Sequence, residues 1–400
     1  MKEFQYDISI VGGAGHIGLP MGIAFANKGK KVVLYDTNSA NIKQISCGIM
    51  PFMEKGADEI LKQVLDNKTL SLTADKTVIS QSRHIIIVIG TPVDSHLNPS
   101  FTIFKSLFVE LLEFISDDQH IILRSTVYPG TTERIKDFLI KEGKNPHITF
   151  CPERIAEGKA MEELETLPQI IGAFNDSSYE DAKKLFNALT DKIIRLEPLE
   201  AELTKLFTNV WRYIQFSISN QFYKIALQND VDFYKIYDAL TYEYPRTKGF
   251  PKAGFAAGPC LFKDTMQLAS FFNNTFFLGH AAMLINEGLP NFIVQRLKSK
   301  YNLRNKTAGI LGMAFKADID DSRDSLSDKL RTILTFEAKE VLCTDPYVKD
   351  DTLLPVEEVV LKSDIIIVAA PHSSYKALDI DSSAKILVDV WNFFGKGGLF

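Results

Sequence analysis

Four side chains of this 400-residue sequence stand in two pairs whose spacing could serve chemistry. Cys260 and Asp264 lie four residues apart in GFAAGPCLFKDT (254–265), so on a helix a sulfur and a carboxylate share one face. Lys205 and Asn209 repeat the spacing in EAELTKLFTN and put a cation and an amide on one face. A thiolate attacks a carbonyl carbon and also leaves it, a lysine steadies an oxyanion, and a carboxylate moves a proton or holds a water. Each residue also has a plainer reading. Cys260 fits as a small apolar filler under a Gly/Ala turn, and Lys205 as a solvated helix lysine.

A second constellation lies near the start. Gly13-Ala14-Gly15-His16-Ile17-Gly18 follows an apolar strand-like run and opens the Gly/Ala-rich stretch Leu19–Asn27. Glycines so spaced permit a tight turn and close approach of backbone to a pyrophosphate, which then sits on the helix N-terminus. Asp36 ends the next strand-like run, where a carboxylate accepts bonds from ribose hydroxyls and disfavours a 2′-phosphate. NAD rather than NADP is the expected cofactor.

The elements that position these residues follow from periodicity. Ile8–Val11, Lys31–Tyr35, His84–Ile89, His120–Arg124 and His147–Phe150 read as short buried strands separated by helical stretches, the pattern of βαβ units in a parallel sheet. From about residue 200 the pattern turns helical. EAELTKLFTNVWRYIQFSISNQFYKIALQ has no Gly or Pro and repeats apolar residues at helical spacing. Strands return at Ala308–Leu311, Glu340–Cys343, Asp364–Ala369 and Lys385–Val388. The two ends echo each other, ISIVGGAG…VVLYDTN…HIIIVIGTPVD against AGILGMAF…EVLCTDPY…DIIIVAAPHSS. The second end keeps only Gly309 and Gly312 of the glycine pattern, so it is expected to bind something else. The expected fold is α/β: two Rossmann-like doubly wound parallel-sheet domains, 1–195 and 301–400, joined by a long central helix within a helical domain, 196–300.

Composition narrows the partners. Hydrophobic content of 46% and charged content of 24% are those of a globular protein, and a net charge of −5 gives no general attraction to nucleic acid or an acidic membrane. No apolar run approaches the roughly 20 residues that span a bilayer. The N-terminal MKEFQYDISIVGG shows no charged-then-apolar leader. Cys47, Cys151, Cys260 and Cys343 are widely spaced, suiting neither a zinc site nor a disulfide framework. A cytoplasmic location and no metal are expected.

Taken together, these stretches resemble the UDP-glucose/GDP-mannose dehydrogenase family, the nucleotide-sugar 6-dehydrogenases. The resemblance runs in order along nearly the whole chain. GGAGHIGLPMG and VVLYD match the NAD site, IGTPVD a strand-end loop, RSTVYPGTT and CPERIAEG two catalytic loops, and EAELTKLFTN the central helix. GFAAGPCLFKDT matches the nucleophile loop, and GMAFKADIDDSRDS with TDPY the C-terminal domain.

The resemblance implies a four-electron, NAD-dependent oxidation of C6 of a UDP-hexose to a uronic acid through a thiohemiacetal and a thioester on Cys260. It makes Lys205 the oxyanion stabiliser, Asn209 its helper, and Asp264 a partner of Lys205 that positions or deprotonates water. Thr126 and Glu153 would handle water and protons. Thr91, Pro92 and Thr126 join Gly13, Gly15, His16, Ile17, Gly18 and Asp36 around the cofactor. Lys252, Lys316 and Arg323 would surround the UDP-sugar, with Arg246 reaching a neighbouring subunit's site in a homodimer built on the long helix. A loop ion pair with Asp318, Asp320 or Asp321 is the alternative for Lys316 and Arg323.

Three features depart from the family pattern. Its Gly-Gly-x-Cys reads Ala257-Gly258-Pro259-Cys260, Trp391 stands where many relatives have arginine, and the interval from Arg246 and Lys252 to Cys260 differs in length. CLFKDT resembles UDP-glucose enzymes, whereas GLP, CPERI and LPQIIG resemble those acting on UDP-N-acetylhexosamines. A two-electron hydroxyacid-type dehydrogenase would need the lysine and asparagine but no cysteine. A non-catalytic binder of NAD or a nucleotide sugar would need none of the four.

Overall fold

A computed structural model describes residues 3–90, 101–380 and 384–400. The chain forms two compact units, Met1–Thr208 and Asn209–Phe400.

In the first unit, short runs of β-branched and aliphatic residues make an eight-stranded sheet. Its strands are β1 (Tyr6–Val11), β2 (Val32–Tyr35), β3 (Leu70–Thr73), β4 (Ser82–Ile87), β5 (His120–Leu123), β6 (His147–Phe150), β7 (Gln169–Ala173) and β8 (Ile193–Leu196). Their spatial order is β3-β2-β1-β4-β5-β6-β7-β8. The chain reverses direction once: β7 runs antiparallel to β6, and the other pairs are parallel. Ile8, Ile10, Ile86 and Ile122 face one apolar cluster, and Val11, Val33, Ile85, Ile87 and Ile121 face another, so the central strands are buried on both sides. That explains why they read as continuous apolar runs rather than as alternations.

The second unit holds a four-stranded parallel sheet of β9 (Thr307–Leu311), β10 (Glu340–Thr344), β11 (Ile365–Val368) and β12 (Ile386–Val388), in the order β10-β9-β11-β12. Its helical part and this sheet share one core. Tyr223 and Leu227 pack in a cluster with Leu289, Ile293 and Leu297, and with Ile310, Ile365 and Ile367 of the strands. Each such side chain contributes about 1.5–3 kcal/mol by leaving water. The long helix, Pro198–Gln228, is continuous through the division between the units. The expected two-sheet α/β fold with its long helix is therefore present. β3, β7 and β8 were not among the strands expected from the sequence.

Candidate active site

The turn after β1 is shaped by contacts that only glycine tolerates. A Cβ at Gly13 would lie 2.6 Å from that of Leu34, and one at Gly18 would strike the carbonyl of Gly12. At Gly15 the nearest atom to such a Cβ is 3.5 Å away, an ordinary contact, so that face of the turn is open to a ligand. Ile17 caps the helix Gly18–Asn27, and His16 stacks on Phe52 with ring centroids 4.1 Å apart. Asp36 Oδ2 accepts the Ala14 N–H at 2.9 Å, and its Oδ1 accepts that of Asn38 at 2.9 Å. The acid is thus tied to the glycine turn, where it fits the ribose of a dinucleotide. Thr91 and Pro92 lie outside the described residues.

Thr126 lies half-buried in the loop after β5. Glu202, fully buried on the long helix, fastens the end of that loop. Its Oε2 accepts the Gly130 N–H at 2.6 Å, and its Oε1 accepts the Thr132 N–H at 2.8 Å and hydroxyl at 2.6 Å. Burial pushes the Glu202 carboxyl up against these hydrogen bonds. Glu153 is also buried. Arg124 donates to its Oε2 from Nε at 2.8 Å and approaches it through Nη2 at 2.6 Å, while the N–H groups of Arg154 and Ile155 bind Oε1. A carboxylate held on both oxygens keeps a fixed position. Lys205, half-buried, stands one turn beyond Glu202 and has no hydrogen-bond or ion-pair partner among the described residues.

In the second unit Asn209 Nδ2 donates to Asp264 Oδ2 at 2.6 Å, with both residues buried. The structure thus brings Asn209 and Asp264 together and places Lys263 Nζ 3.9 Å from Asp264 Oδ1. Cys260 is exposed, outside any disulfide, and caps the helix Leu261–Phe271. Helix N-termini favour negative charge, which suits a thiolate at this position. Asp264 sits in the same first turn, one helical step behind the sulfur.

The loop before Cys260 is fixed by residues that local sequence did not reveal. Asn220 clamps Gly254 through both backbone groups: its Nδ2 donates to the carbonyl at 3.0 Å and its Oδ1 accepts the N–H at 2.9 Å. Asn220 Nδ2 also donates to Asn286 Oδ1 at 2.9 Å. Trp391 lies flat against Gly254, with no room for a Cβ, and its Nε1 donates to Ala369 O at 3.0 Å. The departure at Trp391 therefore builds the underside of the nucleophile loop. The departure at Ala257 is also accommodated, because the left-handed residue is Gly258, at φ +99°, and Ala257 is not among the residues of positive φ.

In the C-terminal sheet Asp345, after β10, occupies the position that Asp36 holds after β2. Its Oδ2 accepts the N–H groups of Met313 and Ala314 at 2.7 and 2.9 Å and faces His372 Nε2 at 3.0 Å; Oδ1 accepts those of Tyr347 and Val348. His372 Nδ1 accepts the Asp318 N–H at 2.9 Å, so Nε2 carries the hydrogen toward Asp345. The network fixes the loop that carries Lys316. Arg323 takes the alternative open to it in the sequence, an ion pair with Asp321 through Nε and Nη2. Lys252 is exposed, with its amine 5.6 Å from the Tyr234 ring centre, and Arg246 is exposed beside Tyr244.

The chain matches a defined set of relatives. Three domain descriptions of the UDP-glucose/GDP-mannose dehydrogenase family match in order: the NAD binding domain over residues 6–190, the central domain over 199–287 and the UDP binding domain over 309–396. The UDP-N-acetyl-D-mannosamine dehydrogenase of Pyrococcus horikoshii is 32% identical over 384 residues, covering 93% of this chain and 91% of that one. The solved structure of the enzyme from that organism superposes with a TM-score of 0.89 at 30% identity, covering 98% and 96% of the two chains. A UDP-glucose dehydrogenase from Pyrobaculum islandicum superposes equally well, at 0.89, but at 24% identity it bears on the fold alone. The chain belongs to the UDP-glucose/GDP-mannose dehydrogenase family. It is an NAD-dependent oxidoreductase of the nucleotide-sugar class, and no helix among the described residues is long and apolar enough to cross a membrane.

Proposed function

We propose that this protein oxidises C6 of a UDP-N-acetylhexosamine, UDP-N-acetylmannosamine foremost, to the uronic acid with Cys260 as nucleophile. The observation that carries the reading is Cys260 at a helix N-terminus, on a loop clamped by Asn220, with the Asn209–Asp264 pair one turn behind it. The identity of the named relatives favours the N-acetylated sugar over glucose.

The Gly13–Gly18 turn and Asp36 would hold NAD, which would supply the hydride acceptor for two successive oxidations. Lys205 steadies the oxygen of C6 as its proton leaves, and Asn209 orients Asp264. The Cys260 thiolate adds to the aldehyde carbon and gives a thiohemiacetal. Loss of the second hydride would leave a thioester, which water hydrolyses to the carboxylate and the free thiol; Asp264 would position or deprotonate that water, and Thr126 and Glu153 would serve in water and proton handling. Lys316, Arg323 and Lys252 neutralise the diphosphate. Arg323 exchanges Asp321 for it.

The proposed domains are 1–195 for NAD, 196–300 for dimerisation and 301–400 for the UDP-sugar. Trp211, Ile218, Phe222 and Ile225 leave an exposed apolar stripe at heptad-like spacing on the long helix, Trp211 at 59% exposure, which supports a homodimer with Arg246 reaching the neighbouring site. A thiol nucleophile is suited to the reducing cytoplasm. The test is NADH counted per sugar with UDP-N-acetylmannosamine, UDP-N-acetylglucosamine, UDP-glucose and UDP-galactose. Two equivalents are expected with the first and at most one with Cys260→Ala; one equivalent from the parent, or two without the thiol, would exclude the thioester route.

A further inference from the structure

Three histidines stand at or near the start of three neighbouring strands of the first sheet, at the end opposite the glycine turn. His84 of β4 is in register with His120 of β5, and His120 with His147 of β6. Their rings form a row, with centroids 5.7 Å apart at each step. Asp181, from the helix Asp176–Phe186, turns one carboxylate oxygen toward all three. Oδ2 lies 2.9 Å from His120 Nδ1, 3.6 Å from His84 Nε2 and 3.8 Å from His147 Nδ1. Arg83 holds Oδ1 at 2.7 Å, which leaves Oδ2 as the inward atom.

The outer nitrogens are already spoken for. His84 Nδ1 donates to the Asp7 carbonyl at 3.0 Å, which leaves Nε2 as the ring atom facing Asp181. That Nε2 is buried and makes no hydrogen bond among the described residues. His120 Nε2 meets Thr149 Oγ1 at 2.9 Å, and His147 Nε2 meets Ser177 Oγ at 3.3 Å. A ring nitrogen and a carboxylate oxygen facing each other at this range are held by a proton or a metal ion between them. Ring nitrogens engaged outward, with their partners facing inward, are the arrangement that orients histidines on a metal.

We propose that His84, His120 and Asp181, joined by His147, bind a divalent transition-metal ion of the zinc type. The ligand atoms of the first three lie within 4.8 Å of one another. Ligands at the bond lengths usual for zinc stand about 3.3 Å apart in a tetrahedron, and the separations of 2.9, 3.6 and 3.8 Å around Asp181 Oδ2 bracket that spacing. His147, the most exposed of the three histidines, closes the site by a small ring rotation. The ion would tie together β4, β5, β6 and the helix Asp176–Phe186, at the far end of the sheet from the chemistry.

The test uses the full chain, free of any polyhistidine tag, as Cys260→Ser so that the active-site thiol adds no ligand. Chelator-stripped protein is titrated with cobalt(II), followed by visible absorption, and with zinc(II), followed by melting temperature. One ion per chain is expected, with an intense tetrahedral cobalt spectrum and a rise in melting temperature with zinc. His84→Gln, which keeps a donor for Asp7, and His147→Ala, a half-exposed position, should each weaken binding about tenfold or more, the size that changes around a metal reach even beyond its direct ligands. Absence of stoichiometric binding would overturn the proposal. So would equal binding by the parent and both variants, or a parent whose melting temperature zinc leaves unchanged while the variants are less stable, the mark of an ion-pair cluster alone.

Discussion

Asn220→Ala removes the clamp on the nucleophile loop without touching any residue assigned to the chemistry. The amide makes three buried hydrogen bonds, two to Gly254 and one to Asn286. A buried hydrogen bond contributes about 1 kcal/mol net, and stranded partners cost more than that. The Gly254 N–H and carbonyl lie in a loop backed by Trp391, where water would have to enter to replace the amide. The expected loss is about 3–4 kcal/mol, more than a hundredfold in the folded-to-unfolded ratio. Urea unfolding followed by tryptophan emission reads it, because Trp391, one of only two tryptophans, lies against Gly254. The midpoint should fall with the slope unchanged. Turnover should fall further than affinity for the nucleotide sugar, since the loop delivers Cys260. Asn220→Asp keeps the shape and the acceptor but not the donor, so at neutral pH it should behave like the alanine. A loss below about 1 kcal/mol with unchanged kcat would refute the clamp.

Asp36→Ala should weaken NAD binding and narrow the preference over NADP, as measured by the two Kd values; unchanged NAD affinity would remove Asp36 from the cofactor site. Gly258→Ala forces a side chain into a left-handed backbone at φ +99°, with its Cβ 2.5 Å from the Phe315 ring, and should cost about 1–3 kcal/mol and most of the activity, read by melting and by NADH formation. Burial pushes the Asp345 carboxyl up, but His372 and the N–H groups of Val348 and Ala314 outweigh burial and hold it down at about 2. A carboxyl depressed by folding adds stability above its unfolded value near 4 and loses it as the pH falls toward 2, so Asp345→Asn should cost about 2 kcal/mol at neutral pH and flatten that acid limb in unfolding curves. Trp211→Glu with Phe222→Glu should shift the protein to monomer by light scattering, and a pair still dimeric would place the interface elsewhere.

The central strands were legible because burial on both faces leaves an unbroken apolar run, as in HIII of β4 and HIIL of β5. β3 and β8 were not, since LSLT is half polar and IIRL lies at the sheet's edge with exposed positions. The glycine turn and the Cys260/Asp264 spacing are local and could be read directly. The Asn209–Asp264 bond joins residues 55 positions apart, and Asn220 and His372 act on backbone far along the chain. Such pairs leave no local trace. The histidine row was hidden for a related reason: each histidine was visible at the start of a strand, but register between strands is set by the whole sheet.

The two strand-end acids carry one more implication. Asp36 accepts two backbone N–H groups, while Asp345 takes five contacts, including the imidazole of His372. A side chain brought from 27 residues further along thus helps to hold the strand-end acid of the second sheet, whereas among the described residues backbone alone holds Asp36. The second turn is therefore tied to a distant loop, and the first is tied only to its neighbours.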